Sequence, residues 1–451
     1  MINNLIDYFK NKKIIILGFG KEGQSTYNLI RKYLPMQHLW ISDQKQNFQD
    51  SYDFLMHDEN VSFISGEEYL SNLEEYDLIM KSPGISFAFM DTSKFIHKTK
   101  SQLELLLEFF DNYTIGITGT KGKSTTSSLI FKVLKDQNKK SILLGNIGIP
   151  VFDYIDEIDE EVTIVLEMSS HQLEFMELSP NIAILLNVYE EHLDHYESFE
   201  KYAEAKCNIY KYQKSDDYFL YNVDNDTLKK MVNHSNGHTY KVSINGVESA
   251  DIYLKGDTVY FKDKPVYNKN EKRNLVGDFN LNNIMFVLGI SELLNLDLNK
   301  TIQSISEFKP LPHRLECVGE YNGVIYYDNS IATIPMATIE AVKALKNVDT
   351  LIIGGMDRGI EYKDLIDFIN ESDVNSIICM PKTGHDIAKK LKKENCYIVE
   401  NMEEAVSVAK RVTQKGKVCL LSPAAASYGF FKNFEERGDR FKELVREKNN
   451  E

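Results

Sequence analysis

The sequence predicts an α/β protein of about three domains, and three observations predict it. The chain has 451 residues with 43% hydrophobic content, ample for separate cores. A β-branched run, Thr114-Ile115-Gly116-Ile117-Thr118, reads as a buried strand, stops at Gly119-Thr120-Lys121-Gly122-Lys123-Ser124, and gives way to helical spacing in STTSSLIFKVLKDQ. Lys12–Gly23 then supplies an apolar strand and a GxGxxG loop, followed by a helix (Gln24–Lys32) and a second strand ending at Asp43, the order of a dinucleotide-type βαβ unit.

The stretch around Gly119 carries the most chemistry. Strand, glycine-rich loop and helix N-terminus together aim backbone N–H groups at one spot, which suits a polyphosphate. Lys123 would lie along the β- and γ-phosphates and the Ser124 hydroxyl would hold Mg²⁺. The strict P-loop pattern has a Gly where this chain has Ile117, so the match is a variant. The plain alternative is an ordinary strand-to-helix turn.

Composition narrows the classes. No apolar run reaches the ~18–20 residues of a membrane span, and Met1–Lys13 lacks the apolar core of a signal peptide, so a soluble, cytoplasmic protein without membrane insertion is expected. Cys207, Cys317, Cys379, Cys396 and Cys419 are scattered and without CxxC pairs, which points to reduced structural thiols. A formal charge of −15 disfavours nucleic acid as a partner.

Along the chain, residues 1–101 are expected to form an N-terminal Rossmann-like domain, with a third strand at Asp77–Lys81 ending in Ser82-Pro83-Gly84. Residues 102–309 form the central P-loop domain, with strands at Glu161–Glu167 and Asn181–Val188. Between Asp216 and Val276, short alternating runs with Asn-Gly and Lys-Gly-Asp turns suggest an antiparallel insertion, before helix returns at Gly277–Leu293. Residues 310–451 form a C-terminal Rossmann-like unit with strands at Val324–Tyr327, Thr350–Ile353, Ser376–Met380 and Val418–Leu421. The tail Phe430–Lys448 reads as a charged amphipathic helix.

Further motifs stand in a fixed order: Gly145-Asn146-Ile147-Gly148, Glu167-Met168-Ser169-Ser170-His171-Gln172-Leu173, Asn187–Tyr196, Ala205-Lys206, Gly277-Asp278-Phe279-Asn280 with Asn283, Pro312-His313-Arg314, Gly354–Gly359, and Ser422–Ser427 followed by Phe431–Phe434. Together with the P-loop they closely resemble the Mur ligases, in particular the members that add D-glutamate to UDP-N-acetylmuramoyl-L-alanine in peptidoglycan synthesis. The resemblance covers nearly the whole chain. It implies a UDP-holding first domain, a central ATPase and a C-terminal domain that brings the amino acid, acting as a monomer with ATP and Mg²⁺. The implied reaction phosphorylates the L-alanyl carboxylate and lets the glutamate amine displace phosphate, work that is mostly positioning and charge neutralisation.

Residue by residue, the resemblance implies that Gly119, Thr120, Lys121, Gly122, Lys123, Ser124 and Thr125 hold ATP, with Arg314, Asn280, Asn283 and Asn329 on its phosphate, adenine and ribose. Ser124 and Glu167 would serve one Mg²⁺, His192 a second, and Lys206 would be carbamylated, exchanging a cation for a metal-binding anion. By composition alone Lys206 reads as a solvated helix lysine, Glu167 as a strand-end carboxylate and His192 as a surface histidine. Asn146, Ser169 and Gln172 match positions that hold the muramoyl-alanine portion, and Lys21, Glu22, Asp43, Gln44 and Ser82 lie where the UDP end rests. Thr333, Arg358, Ser427 and Phe434 match the amino-acid pocket, where the planar Arg358 fork can take a carboxylate bidentately.

Three departures stand out. Phe279 replaces a family histidine, Asn329 stands where the ribose acid is expected with Asp328 one place earlier, and Ile331 replaces a lysine beside the glutamate site. The competing readings are a sibling ligase using L-glutamate or another amino acid, folylpolyglutamate synthase, and a non-catalytic nucleotide-binding regulator. The SSHQL, GGMDRG and SPAAAS stretches favour the first-named reaction over the folate enzyme. A regulator would require loss of a catalytic residue, yet Lys123, Glu167, His192 and Lys206 are all present.

Overall fold

The computed structural model describes residues 1–191, 195–233, 235–247 and 249–447. These residues fold around three sheets, each covered by helices. In the first sheet β1 (Ile14–Leu17), β2 (Leu39–Asp43), β3 (Val61–Ser65), β4 (Leu78–Lys81) and β5 (Thr99–Lys100) are all parallel, in the order β3-β2-β1-β4-β5. The isoleucines of β1 are fully buried, as a strand covered on both faces requires.

The second sheet has nine strands: β6 (Thr114–Thr118), β7 (Ser141–Gly145), β8 (Thr163–Glu167), β9 (Ile182–Leu185), β10 (Tyr218–Asn222), β11 (His238–Ser243), β12 (Ile252–Lys255), β13 (Thr258–Phe261) and β14 (Lys264–Asn268). They run β14-β13-β12-β11-β10-β9-β6-β8-β7. The expected antiparallel insertion is therefore corrected. Strands β10, β11 and β12 pair parallel and continue the main sheet, and only β12, β13 and β14 are antiparallel, with a bulge between Val259 and Tyr260. The Asn245-Gly246 turn leads from β11 towards a parallel neighbour, β12.

The third sheet orders β15 (Glu316–Tyr321), β16 (Val324–Asp328), β17 (Val348–Gly355), β18 (Ser376–Lys382), β19 (Asn395–Ile398) and β20 (Val418–Leu421) as β15-β16-β20-β17-β18-β19, parallel except for the β15/β16 pair. The chain divides into two compact units, Met1–Glu271 with Asn282–Ser306, and Lys272–Leu281 with Glu307–Glu451. The first unit holds the first two sheets and the second holds the third. No helix among the described residues is long and apolar enough to cross a membrane. All five cysteines are free.

Inside the first unit, Gln102 ties the first two sheets together. Fully buried, it donates from Nε2 to the Glu22 carbonyl and to Thr26 Oγ1, each at 2.9 Å, and accepts the Phe152 N–H. Replacing it with Ala would strand several buried polar groups at once, so Gln102→Ala should lose about 1–3 kcal/mol in urea unfolding, a loss that Gln102→Glu at acid pH should partly recover.

Candidate active site

The loop after β6 turns on two glycines that adopt positive φ, 155° at Gly119 and 90° at Gly122. At Gly122 a Cβ would come within 2.6 Å of Asn283 Oδ1, so the bare glycine lets that asparagine pack on the loop. Gly122 caps the helix Lys123–Asp136, one residue ahead of the helical pattern read from the sequence. Asn187, at the end of β9, clamps the loop from the side. Its carbonyl accepts the Thr120 N–H at 2.9 Å, its Oδ1 accepts the Lys121 N–H at 2.9 Å, and its Nδ2 donates to the Lys121 carbonyl at 3.0 Å. Thr120 Oγ1 also meets the Tyr202 hydroxyl at 3.0 Å. Ser124 and Thr125 lie buried in the first turn of the helix.

Two lysines converge on the Gly119 carbonyl. Lys123 Nζ donates to it at 2.8 Å and to the Thr120 carbonyl at 3.1 Å, and Lys206 Nζ reaches the same Gly119 oxygen at 3.1 Å. Lys206 comes from the helix Phe199–Lys211, is 2% exposed and lies over the Tyr202 ring, so it is not the solvated lysine its composition suggests. Burial, and next the Lys123 charge, push its pKa well below the ordinary lysine value, with Glu191 opposing. Lys121 is paired with Glu191 at 2.9 Å.

Glu167 closes the far side. It ends β8, across from Ile117 of β6 and Gly145 of β7, and is 1% exposed. Oε1 accepts from Asn146 Nδ2 at 2.9 Å, while Oε2 is buried without a hydrogen-bond partner among the described residues. A buried carboxylate oxygen left this way is costly unless a cation joins it, and with the Ser124 hydroxyl it gives the hard-oxygen donors that Mg²⁺ takes. His192, expected at a second metal, lies outside the described residues.

Next to Glu167, Ser169 and Gln172 form a capping box on the short helix Ser170–Leu173. Gln172 then reaches the first sheet's glycine loop, donating from Nε2 to Glu22 Oε1 at 2.7 Å. Burial raises Glu22 to about 7, against the Gln172 hydrogen bond and the Lys81 charge. Lys81, unforeseen from the sequence, is itself lowered by burial to about 8 and lies 3.8 Å from Glu174. Elsewhere on that loop Asp43 accepts the Phe19 and Lys45 N–H groups, each at 2.8 Å, and Ser82 Oγ donates to the Gly18 carbonyl at 2.8 Å, while Lys21 and Gln44 are exposed.

In the second unit, Asn280 donates to the Val276 carbonyl at 2.8 Å. His313 and Leu315 flank Arg314 with φ of 62° and 53°, a contorted segment held by side chains at the end of β16. Asp328 meets His313 Nδ1 at 2.7 Å, and Asn329 Oδ1 accepts the Leu315 N–H at 3.1 Å while its Nδ2 donates to Ser422 Oγ at 3.0 Å. His313, Glu316 and Asp328 could geometrically hold a metal, but the Lys442 ammonium, 3.2 Å from Glu316, already supplies a cation. Ser427 is buried, Thr333 and Phe434 are half-buried, and Arg358 is exposed. The tail helix, Phe434–Arg446, is not merely a charged surface element. Its Arg437 is 1% exposed and donates to Ser330 Oγ, the Ser330 carbonyl and the Ala425 carbonyl at 2.8–3.0 Å.

Comparison with known proteins agrees with this arrangement. Residues 117–291 match the Mur ligase middle domain and residues 313–425 match the Mur ligase, glutamate ligase domain. The UDP-N-acetylmuramoylalanine–D-glutamate ligase of Acetivibrio thermocellus is 33% identical, over 98% of this chain and 98% of that protein. The ligase of the same name from Clostridium acetobutylicum is 32% identical, again over 98% of each. Among solved structures, MurF ligase from Thermotoga maritima in complex with ADP superposes with a TM-score of 0.60 at 17% identity, covering 97% of this chain and 96% of that one. UDP-N-acetylmuramate-alanine ligase MurC from the same organism gives 0.58 at 17% identity, covering 96% and 99%. The chain belongs to the Mur ligase family, whose members are ATP-dependent ligases joining a carboxylate to an amine.

The raised Glu22 pKa has a definite sign. The folded state holds a proton that the unfolded state releases from about 4.5 upward, so stability is full below that pH and falls as pH rises to about 7. Glu22→Gln keeps an acceptor for Gln172 and removes the titration. Its thermal unfolding should match the native protein at pH 4.5 and exceed it at pH 8, by ~3 kcal/mol at most.

Proposed function

We propose that the protein adds D-glutamate to UDP-N-acetylmuramoyl-L-alanine with ATP, in the cytoplasm, as a step of peptidoglycan precursor synthesis. The observation that carries this reading is the meeting of Lys123 and Lys206 on one carbonyl, beside a buried Glu167 oxygen with no partner among the described residues. Such a site is built for phosphoryl groups and a divalent cation, and the names of the full-length relatives supply the substrates. Residues 1–101 would hold the UDP end, 102–309 ATP and 310–451 the amino acid.

The chemistry divides among the residues as follows. Backbone N–H groups from Gly119 to Thr125 cradle the ATP phosphates, and on nucleotide binding Lys123 exchanges its loop carbonyls for the γ-phosphoryl oxygens. Asn283, with Asn280, and Asn329 would contact the nucleoside, and Arg314 the transferring phosphoryl group. Asn146, Ser169 and Gln172 orient the L-alanyl carboxylate for attack on that group, giving an acyl phosphate. The glutamate amine, held through Thr333, Arg358, Ser427 and Phe434, then attacks the acyl carbon, and phosphate leaves as the amide forms. Ser124, Glu167, a carbamylated Lys206 and His192 would hold Mg²⁺, which supplies charge neutralisation for the phosphoryl oxygens. The neutral amine is the form that adds CO₂, and burial with the Lys123 charge shifts Lys206 towards it.

Lys206→Ala should lose roughly 100-fold or more in kcat, the scale of removing one preorganised charge-stabilising group. Short carboxylic acids should restore part of the loss in a steady-state phosphate-release assay, whereas Lys206→Arg, which cannot be carbamylated, should stay inactive.

The absence of a lysine at Ile331 favours one second reading, use of L-glutamate, since that change can reshape the pocket around the amino acid. Phosphate release measured with each enantiomer, at saturating ATP and UDP-N-acetylmuramoyl-L-alanine, should give the higher kcat/KM for D-glutamate. A preference for L-glutamate would overturn the stereochemical assignment and leave the ligase reading standing. Silence with both would remove the glutamate assignment.

A further inference from the structure

Lys382 occupies a strained position at the edge of the third sheet. It ends β18 and precedes the helix Thr383–Ala388 with φ 59° and ψ −106°, a conformation that L residues with a side chain rarely adopt. The segment Met380-Pro381-Lys382-Thr383-Gly384 is thus a sharp strand-to-helix elbow, the kind of turn that lifts one side chain above the C-terminal edge of a parallel sheet. Its neighbours are bare so that it can form. A Cβ on Gly384 would come within 2.9 Å of the Ile353 carbonyl, and one on Gly354 within 2.5 Å of the Met380 carbonyl. The ladder also slips here, pairing Gly355 with Lys382. Thr383 Oγ1 locks the turn by donating to the Gly355 carbonyl at 3.1 Å.

The elbow points its charge at the edge that carries Ser427. Lys382 Nζ lies 5.4 Å from the centre of the Phe430 ring, and the Phe430 N–H is held by the Ser427 carbonyl at 3.3 Å. The neighbouring cavity of about 780 Å³ is lined by Pro381, Ser427 and Phe430 but not by Lys382, and six acidic residues share its lining, so the carboxylate contact falls on the Lys382–Phe430 edge itself. Among the described residues Lys382 forms no ion pair, whereas lysines such as Lys363, Lys389 and Lys442 do. Open α/β sheets bind ligands at this edge, in the crevice where the strand order reverses, and here β17 and β20 flank that crevice.

Resting on the amino-acid assignment above, we infer that Lys382 is a specificity-determining residue that binds a carboxylate of the incoming glutamate. Glutamate carries two carboxylates, and Ile331 offers no charge to either. Arg358 can meet one, and Lys382 supplies the cation for the other. The backbone strain is the structural cost of holding an ammonium on the sheet edge instead of leaving it to a flexible loop.

The test separates charge from strain. Lys382→Met keeps the strain and removes the charge, Lys382→Gly removes both, and Lys382→Arg keeps both. In phosphate-release assays the Met and Gly variants should raise the glutamate KM roughly 10- to 100-fold, the worth of one charge-assisted hydrogen bond, while kcat and the KM for ATP hold. The Arg variant should stay near the native KM. Lys382→Gly should also melt above the native protein, because glycine fits the elbow, so its weaker glutamate binding could not be charged to misfolding. An unchanged glutamate KM in the folded Met and Gly variants would overturn the inference, as would an equal rise in the Arg variant. Native protein that uses neither enantiomer would overturn the amino-acid assignment itself, and this result is read before any variant is made.

Discussion

The site rests on two amines, one of them fully buried, sharing one carbonyl oxygen. Lys123 and Lys206 approach Gly119 from different helices, and both cannot remain fully charged there at low cost. Two outcomes relieve the conflict. Lys206 can give up its proton, as its burial favours, or an anion can arrive. The neighbouring carboxylate oxygen on Glu167 presents the opposite demand, a negative group with no donor, only 1% exposed. A phosphate group at the loop and a cation at Glu167 are the two partners that this arrangement would accept.

How far the sequence foretold this differs by residue. The P-loop was legible because its chemistry is a backbone requirement: glycines at fixed spacing between an apolar strand and a helical pattern admit few other structures. Lys206 was not legible from composition, since one lysine in an amphipathic helix reads the same whether its side faces water or a phosphate loop, and only the family resemblance singled it out. The same limit applies to Arg437. In a stretch as charged as Phe434–Arg446 nothing local marks which of the ionic residues turns inward. Lys382 gave no signal, because strain belongs to φ and ψ, and the flanking Pro381 and Gly384 are compatible with many turns.

Some of the missed strands share a cause too. Of the strands the sequence did not reveal, Val61–Ser65, Glu316–Tyr321 and Asn395–Ile398 are partly exposed, lie at sheet edges and mix polar with apolar residues, whereas Ser141–Gly145 is an edge strand of mostly apolar residues that local pattern alone did not separate from its loop. Edge strands bury only part of their surface, so the hydrophobic contrast that reveals central strands is weak in them. The Asp216–Val276 region erred in the other direction. Turn residues there were read as hairpins, whereas long-range pairing with β9 sets β10 parallel and carries the sheet outward.

That outward growth has to stop somewhere, and the antiparallel end of the second sheet is where it does. β14 is the outermost strand, and its sequence, Lys-Pro-Val-Tyr-Asn, places an exposed lysine and a proline where a further strand would dock. Pro265 lacks the N–H that another chain would need, and the bulge opposite, at Val259/Tyr260, bends the ladder out of flatness. Behind this guard lies Thr258-Val259-Tyr260-Phe261, uncharged and rich in β-formers, the composition that associates with copies of itself when left open. The last strand thus serves the colloidal behaviour of the protein more than its catalysis: it seals a cohesive edge and keeps a nine-stranded sheet from recruiting a tenth from a neighbouring molecule.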